Sequence, residues 1–574
     1  MTIGSDTPRT GRRLEAEAVG FADLFLPKLI TVLREGYGLA GLRADAMAGL
    51  TVAIVALPLS MAIAIASGAT PAQGLTTAII GGFLVSLLGG SRFQIGGPAG
   101  AFIVLVAATV QIHGMDGLIL ATFLSGFMLM AVGLFRLGSF IKFVPYPVTV
   151  GFTAGIAIII LASQIRPLLG LELTQTEPGP LAAKIPVLID GLPSLDSITV
   201  GIGVAAVLVI SGVRRFLPRW PGMLIAVAGL AAASWAFGWE VETIGSVYGG
   251  IPSGLPMPSL PTVSFDKILD VLPSAVSFTL LGSIESLLSA VVADGMTGRR
   301  HRSNCELVAQ GVANIGSSLF GGLCVTGTIA RTATNVRAGA RGPIAGMLHS
   351  VILLLVMMVA APLFAAIPLA ALAGVLVVVA WNMVERQAIA TLLSASRGDA
   401  AVLLITFGLT IFRDLTEAIV VGFALGSVLF IHRMSRTTAV DARAVPLVTE
   451  DQADGPSDDR DPYEAGAGTD PEVVVFRISG AFFFGAAASI GGVLDRIGDG
   501  YRRLVIDFAA VPFVDSTAAH TIEGLAHKAR KNGVRVFLTG VAPGVRHDLE
   551  AHGVTPPLVT FVERIEDAAA AHVE

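Results

Sequence analysis

Residues 326–341 read TGTIARTATNVRAGAR and lie deep in a long apolar region of the chain. The stretch opens with Gly327 and Thr328, which favour the start of a helix, and then predicts a short helix that carries Arg331 in its first turn. A charge at the centre of a bilayer costs at least ~2.5–3.5 kcal/mol, and so short a helix cannot cross about 30 Å of hydrocarbon. A broken helix that begins with a guanidinium is typical of an anion site, because exposed N–H groups and the helix dipole favour negative charge.

The composition indicates a multi-pass membrane protein with one soluble segment. The chain has 574 residues, of which 53% are hydrophobic and 14% are charged, and its mean hydropathy is +0.76. A soluble protein of this size carries roughly 25% charged residues. The cysteines, Cys305 and Cys324, fit neither a disulfide framework nor a zinc site. No cleavable signal peptide is predicted in residues 1–35, which are charged and amphipathic.

Apolar runs predict fourteen membrane spans in two sets of seven, separated by a Gly-, Pro- and Ser-rich loop. The first set lies at 46–66, 72–90, 97–111, 117–135, 147–165, 197–213 and 221–238. The second set lies at 271–292, 306–322, 328–339, 343–362, 366–385, 399–412 and 414–432. The third member of each set is short and flanked by glycine, as in GGPAGAFIVL (96–105) and TGTIARTATN (326–335). Paired interrupted segments at matching positions predict a transporter built as an inverted repeat, with its substrate site between them.

The distribution of basic residues between the loops agrees with a topology of seven plus seven spans. With a cytoplasmic N-terminus, the inner loops hold most arginines and lysines, whereas the outer loops hold few, among them Arg166, Lys267 and Arg413. The positive-inside rule therefore predicts a multi-pass protein of the plasma or inner membrane with both termini in the cytoplasm.

The composition changes after Arg436. Residues 437–472 are acidic and rich in Gly and Pro, which predicts a flexible linker, and residues 473–574 alternate strand and helix patterns typical of a small cytosolic α/β domain. Residues 1–40 are then a cytosolic N-terminal segment and residues 41–436 a transmembrane domain. We expect no cofactor, no metal and no nucleic acid. No P-loop of the G-x-x-x-x-G-K-[ST] kind occurs, so a primary pump is not expected. The last domain contains no Ser/His/Asp arrangement, and we do not expect an enzyme.

Several motifs resemble one known family. GLTVAIVALPLSMAIAIASG (49–68), GGSRFQIGGPAGAFIVL (89–105) and residues 280–322 are similar to spans of SulP-family anion transporters. AFFFGAA (481–487) and IDFAAVPFVDST (506–517) are similar to the STAS domain that follows them. The chain resembles most the bacterial branch that includes C4-dicarboxylate carriers. The resemblance implies a core domain of spans 1–4 and 8–11, a gate domain of spans 5–7 and 12–14, an elevator-like motion and a homodimer.

Two charged residues are the strongest site candidates. Arg331 is predicted to anchor an anionic substrate, and the resemblance implies an arginine at this point of the tenth span. Glu285 lies in the apolar run LLGSIESLLSAVV, where a carboxylate indicates function. The resemblance implies that this span carries the carboxylate that couples transport to H⁺ or Na⁺. The alternative is an ion pair between Arg331 and Glu285 that only joins spans 8 and 10.

Small residues at the two helix starts would let backbone N–H groups approach a ligand, and the alternative is close helix packing. The predicted substrate-binding residues are Arg331, Thr328, Ala330, Gly97, Ala99, Gly100 and Ser286. In the last domain, Ser516 and Thr517 form a good N-cap where a strand meets a helix. The resemblance implies a candidate regulatory phosphosite at Ser516, and capping alone is the alternative.

Together these features predict a secondary active transporter of small anions, with sulfate, bicarbonate and C4-dicarboxylate as candidate substrates. Two alternatives stay open: an uncoupled anion exchanger or channel, and a membrane-anchored signalling protein with the STAS domain as its output. The expected partners are the anion, H⁺ or Na⁺, the lipid bilayer, a second copy of the chain and a cytosolic partner of the STAS domain.

Overall fold

The computed structural model describes residues 24–138, 145–173, 175, 178, 181–217, 220–413, 415–437, 439–442, 473–483 and 502–570. The chain forms two compact units, Met1–Phe423 and Ala424–Glu574. Among the described residues the first unit is almost entirely helical, and the second contains an α/β domain.

The first eight helices are α1 (Lys28–Arg34), α2 (Leu39–Ala66), α3 (Pro71–Leu88), α4 (Ile103–Leu134), α5 (Tyr146–Ser163), α6 (Ile165–Leu169), α7 (Leu181–Gly191) and α8 (Ser197–Phe216). The next ten helices are α9 (Gly222–Phe237), α10 (Ile244–Tyr248), α11 (Phe265–Thr297), α12 (Ser303–Leu319), α13 (Ile329–Arg337), α14 (Ile344–Phe364), α15 (Leu369–Met383), α16 (Arg386–Ala395), α17 (Arg397–Phe412) and α18 (Leu415–Thr437). Two short strands interrupt them, β1 (Gly96–Gly97) and β2 (Thr326–Gly327).

Every predicted span coincides with a helix. Within the described ranges, nine helices are long and apolar enough to cross a membrane. One of these, Gly100–Leu134, contains predicted spans 3 and 4, which part at Gly114, where the backbone is not helical (φ 69°, ψ −176°). Spans 7, 9, 10 and 13 coincide with the shorter helices α9, α12, α13 and α17. Helix α13 has 9 residues and a length of about 13.5 Å, so it cannot cross a bilayer.

The helices pack in two groups that match the implied core and gate domains. In the first group α4 packs against α11 and α12, α2 packs against α14, and α13 packs against α11 and α2. In the second group α5 packs against α17, and α8 packs against α9 and α15. Small residues allow close approach within the first group, because a Cβ at Gly126 of α4 would lie 2.8 Å from the carbonyl oxygen of Gly311 of α12.

The N-terminal segment is bound to the membrane unit from α1 onward. The backbone N–H of Lys28 donates to the Gly89 carbonyl at 2.9 Å, and Nη1 of Arg92 donates to the Glu35 carboxylate at 2.7 Å. The hydrogen bond from Arg92 lowers the pKa of Glu35. Helix α2 begins at Leu39, seven residues before the predicted span.

The C-terminal domain has the predicted α/β pattern. Its five-stranded sheet has the order β3 (Ala439–Ala442), β4 (Val473–Ser479), β5 (Arg503–Ala510), β6 (Arg535–Thr539) and β7 (Thr560–Val562). Strands β4 to β7 are parallel, and α19 (Ser516–Lys531), α20 (Pro543–Ala551) and α21 (Ile565–Ala570) accompany them. Buried residues of α19 such as Ile522 and Ala526 pack on Ile506 and Leu538 of the sheet.

One predicted boundary is wrong. Residues 437–472 were expected to be a linker throughout, yet residues 439–442 form β3, which pairs antiparallel with β4. The pairing covers an edge of β4 that would otherwise expose unpaired N–H and C=O groups. Residues 443–472 lie outside the described part of the chain.

Candidate functional site

The two glycine-flanked helix breaks meet in one short antiparallel pairing. Gly96 pairs with Gly327, and Gly97 pairs with Thr326. The backbone N–H of Thr328 extends the pairing by donating to the Ile95 carbonyl at 2.9 Å. The prediction that the breaks of the two repeats occupy one place is therefore confirmed.

Arg331 lies in the first turn of α13 and is 1% exposed. Its Nη2 donates to the Pro98 carbonyl at 3.2 Å, while Nε and Nη1 have no hydrogen-bond partner. No carboxylate of the described residues lies within the 4.0 Å of an ion pair with this guanidinium. A buried cation with two unused donor atoms is costly unless an anion binds to it, so the arrangement favours an anionic ligand.

Gly97 makes room for this guanidinium. Its φ is +152°, a region that residues with a Cβ rarely adopt, and a Cβ there would lie 2.6 Å from Nη1 of Arg331. Gly327 has a similar role, because a Cβ at that position would overlap the side-chain amide of Gln94. The glycines at both breaks therefore serve close approach of side chains from the opposite repeat.

Glu285 lies on α11 with 8% of its surface exposed. Over the described residues, its carboxylate forms no hydrogen bond and no ion pair. The alternative in which Glu285 and Arg331 join spans 8 and 10 as an ion pair requires a contact that this structure does not contain. Glu285 is a buried carboxylate without a fixed partner.

A polar network ties α11 to the helix breaks. The Ser286 hydroxyl accepts from Nε2 of Gln94 at 2.8 Å, and Oε1 of Gln94 has no partner. The Ser289 hydroxyl donates to Oγ1 of Thr332 at 3.0 Å, and that oxygen also accepts from the Ile95 N–H at 3.1 Å. Ser286 therefore holds Gln94 against the break.

The other predicted substrate-binding residues differ in their solvent exposure and in their contacts. Thr328 is the N-cap of α13, but its hydroxyl does not cap the helix and donates instead to the Ile95 carbonyl at 3.1 Å. Ala99 is buried, whereas Ala330 is exposed and Gly100 is partly exposed. A Cβ at Gly100 would lie 3.5 Å from Sδ of Met383, so Gly100 faces the second helix group.

Sequence reasoning missed Gln94, Ser289, Thr332 and His349 as members or neighbours of this site. Ser286 and Ser289 are three residues apart on α11 and share one helix face, a spacing that could have indicated the network. His349 of α14 is completely buried, and neither ring nitrogen has a hydrogen-bond partner.

In the C-terminal domain, the expected capping role of Ser516 is wrong. Asp515 is the N-cap of α19, and its carboxylate accepts from the Ala518 N–H at 2.9 Å. Ser516 is the first helical residue and is exposed. An aspartate accepts the first-turn N–H groups with its full charge, which leaves the serine hydroxyl free of that role.

Comparison with known proteins agrees with this arrangement. A model of the sulfate permease family matches residues 42–406, and a model of the STAS domain matches residues 466–568. The chain is 37% identical over 510 residues to YvdB of Bacillus subtilis (strain 168), which covers 88% of this chain and 93% of that protein. It is 32% identical over 525 residues to the bicarbonate transporter BicA of Synechocystis sp., which covers 89% and 90% of the two chains.

The fold is similar to that of murine Solute Carrier 26 family member A9, whose structure was solved in an inward-facing state. The TM-score is 0.80 with 18% sequence identity, and the match covers 98% of this chain and 96% of the other. The chain therefore belongs to the sulfate permease (SulP) family of multi-pass membrane anion transporters with a C-terminal STAS domain, and it is a transporter rather than an enzyme.

Proposed function

We propose that this protein is a secondary active carrier that binds one small anion where β1, β2 and the start of α13 meet. The observation that carries the proposal is the buried guanidinium of Arg331, of which two nitrogens have no partner. The first N–H groups of α13 also lack acceptors within their own helix. An anion would supply acceptors to both sets of donors at once.

The substrate is proposed as sulfate, bicarbonate or a C4-dicarboxylate. Relatives support the first two, since YvdB is named for sulfate transport and BicA for bicarbonate transport. All three anions present oxygen atoms that match the planar fork of an arginine. The C4-dicarboxylate branch stays a prediction from sequence motifs.

Glu285 is proposed as the group that couples transport to H⁺ or Na⁺. A carboxylate buried among apolar helices without a fixed partner can exchange a proton or bind a cation as its surroundings change. The two helix groups support an elevator-like motion, with the core group carrying the site along the gate group. We further propose a homodimer in the plasma or inner membrane with cytoplasmic termini, and regulation through the exposed Ser516.

The test is uptake of labelled sulfate, bicarbonate and succinate into proteoliposomes with H⁺ and Na⁺ gradients imposed separately. Arg331→Ala is expected to lower uptake at least about 30-fold, because truncating one member of a buried charged pair costs roughly 2–5 kcal/mol. Arg337→Ala is the matched control, since Arg337 is an exposed arginine of the same helix. Normal uptake by Arg331→Ala with an unchanged melting temperature would contradict the proposal.

Coupling is tested with Glu285→Gln. We expect uptake by this variant to lose its dependence on the gradient that drives the wild type. An unchanged dependence would remove Glu285 from the mechanism. Electrogenic anion flux by the wild type without any cation gradient would instead indicate an uncoupled channel or exchanger.

A further inference from the structure

Basic and aromatic side chains gather where helices α8 and α15 end and α16 begins. We call this group the arginine–tryptophan cluster and define it as Arg214, Trp381, Asn382 and Arg386. All four residues are exposed, and none takes part in the anion site described above.

The cluster is built by contacts between neighbouring elements. Nη1 of Arg214 donates to Oδ1 of Asn382 at 2.6 Å. The guanidinium carbon of Arg386 lies 4.4 Å from the centroid of the Trp381 ring. Because Trp381 and Asn382 are consecutive, the two guanidinium groups are anchored on adjacent residues of one helix end.

The cluster has positive charge that the described residues do not neutralise. Neither Arg214 nor Arg386 forms an ion pair with a carboxylate anywhere in the described ranges. The neighbouring carboxylate, Glu385, accepts a hydrogen bond from the Tyr146 hydroxyl at 3.3 Å. The guanidinium groups therefore keep N–H donors directed at the surroundings of the protein.

The position along the helices corresponds to the level of lipid headgroups. Helix α8 and the segment Leu369–Ser394 are both long and apolar enough to cross a membrane, and the cluster lies at the end of α8 and where α15 meets α16 within that segment. Phe216 and Trp220 are 80% and 63% exposed at the same end of α8, and Trp381 is 55% exposed. Exposed indole rings and arginines at the ends of apolar helices are typical of the membrane interface.

We propose that the arginine–tryptophan cluster binds the phosphate of an anionic phospholipid. A guanidinium pairs with phosphate oxygens through two parallel hydrogen bonds, and indole rings pack against the glycerol and upper acyl region. An inorganic phosphate would gain only the first of these contacts. The bound lipid would hold the ends of gate-group helices at a fixed depth, and this inference does not depend on which anion the protein carries.

The experiment measures the melting temperature of the full chain in an uncharged detergent during titration with phosphatidylglycerol. A ligand that binds the native state raises the melting temperature in a concentration-dependent way. Each arginine near an anionic lipid contributes a binding free energy that corresponds to about a fivefold change in affinity. Arg214→Gln and Arg386→Gln should each raise the half-maximal lipid concentration about fivefold, and the double variant about 25-fold.

Arg300→Gln is the matched control, because Arg300 is an exposed arginine in the loop between α11 and α12. Arg300→Gln should have the same half-maximal phosphatidylglycerol concentration as the wild type. Neither phosphatidylcholine nor inorganic phosphate should raise the melting temperature. The proposal is overturned if the double variant keeps the wild-type midpoint, if Arg300→Gln shifts it equally, or if phosphatidylcholine is as effective.

A second measurement locates the lipid. Phosphatidylglycerol with brominated acyl chains quenches nearby tryptophan fluorescence. The quenched fraction should fall in Trp381→Phe and also in the double arginine variant, relative to the wild type. Equal quenching in all three proteins would place the lipid elsewhere and refute the assignment.

Discussion

Replacing Gly97 with alanine is the sharpest test of how the proposed anion site is built. The new Cβ would lie 2.6 Å from Nη1 of Arg331, so the guanidinium would have to withdraw by roughly 0.8 Å to reach ordinary contact. The backbone at φ +152° adds strain, because this region is rarely open to residues with a Cβ. Gly97→Ala therefore perturbs the position of the charge without removing it.

The magnitude follows from two costs. Strained backbone costs about 1–3 kcal/mol, and overpacking typically costs about 1–3 kcal/mol. If the protein relieves both by displacing Arg331, even about 2 kcal/mol corresponds to roughly 30-fold weaker anion binding. Proteoliposome uptake at substrate concentrations below saturation should fall by at least that factor.

Two controls make the result interpretable. Gly408→Ala introduces a methyl group into a helix position with open space around it, so uptake should stay at the wild-type level. If Gly97→Ala acts through Arg331, the double variant Gly97→Ala/Arg331→Ala should transport no less than Arg331→Ala alone. Uptake by Gly97→Ala within twofold of the wild type, with an unchanged melting temperature, would refute this account of the site.

Three further predictions concern neighbouring groups. Ser286→Ala removes the acceptor of Gln94 Nε2 and should cost about 1–3 kcal/mol through a buried unsatisfied donor, read as a lower melting temperature together with reduced uptake. Asp515→Ala should destabilise the C-terminal domain by about 1 kcal/mol in chemical unfolding, whereas Ser516→Ala should change it by less than about 0.5 kcal/mol, because only the aspartate caps α19. Asp507→Asn should cost about 1–3 kcal/mol in the same assay, since this buried carboxylate accepts three hydrogen bonds; an unchanged unfolding midpoint would contradict that view.

The sequence predicted the positions of the helices well because membrane insertion imposes a simple rule. Each span needs a nearly continuous apolar run, and such runs can be read directly from the chain. The interrupted helices could also be recognised locally, because glycine and proline residues interrupt helices. The break at Gly114 lies between predicted spans 3 and 4, where a positive φ of 69° ends one helix.

The contacts that build the site could not be read in this way. The pairing of Gly96 with Gly327 joins residues that are far apart in the chain, and it depends on how α3 packs against β1 and α11 packs against β2. The sequence predicted a charge at Arg331, but the hydrogen bond to Pro98 and the absence of a Glu285 ion pair depend on side-chain geometry. Strand β3 was missed because four residues of weak β pattern become a strand only when β4 offers an edge.

In the described part of the membrane unit, several buried polar atoms near the helix breaks have no hydrogen-bond partner. Among them are two nitrogens of Arg331, Oε1 of Gln94 and both ring nitrogens of His349. Such atoms lower the stability of an empty site, and a bound anion relieves part of that cost by accepting from the guanidinium. Substrate binding should therefore stabilise the wild type and raise its melting temperature. The added free energy of unfolding grows with the ratio of the substrate concentration to the dissociation constant of the substrate. Arg331→Ala should lose this increment even where its own melting temperature is normal, because a site without the cation no longer gains from the anion. A short α13 agrees with the proposed function, because a helix that starts inside a bilayer would expose N–H groups and a charge that one anion can satisfy together.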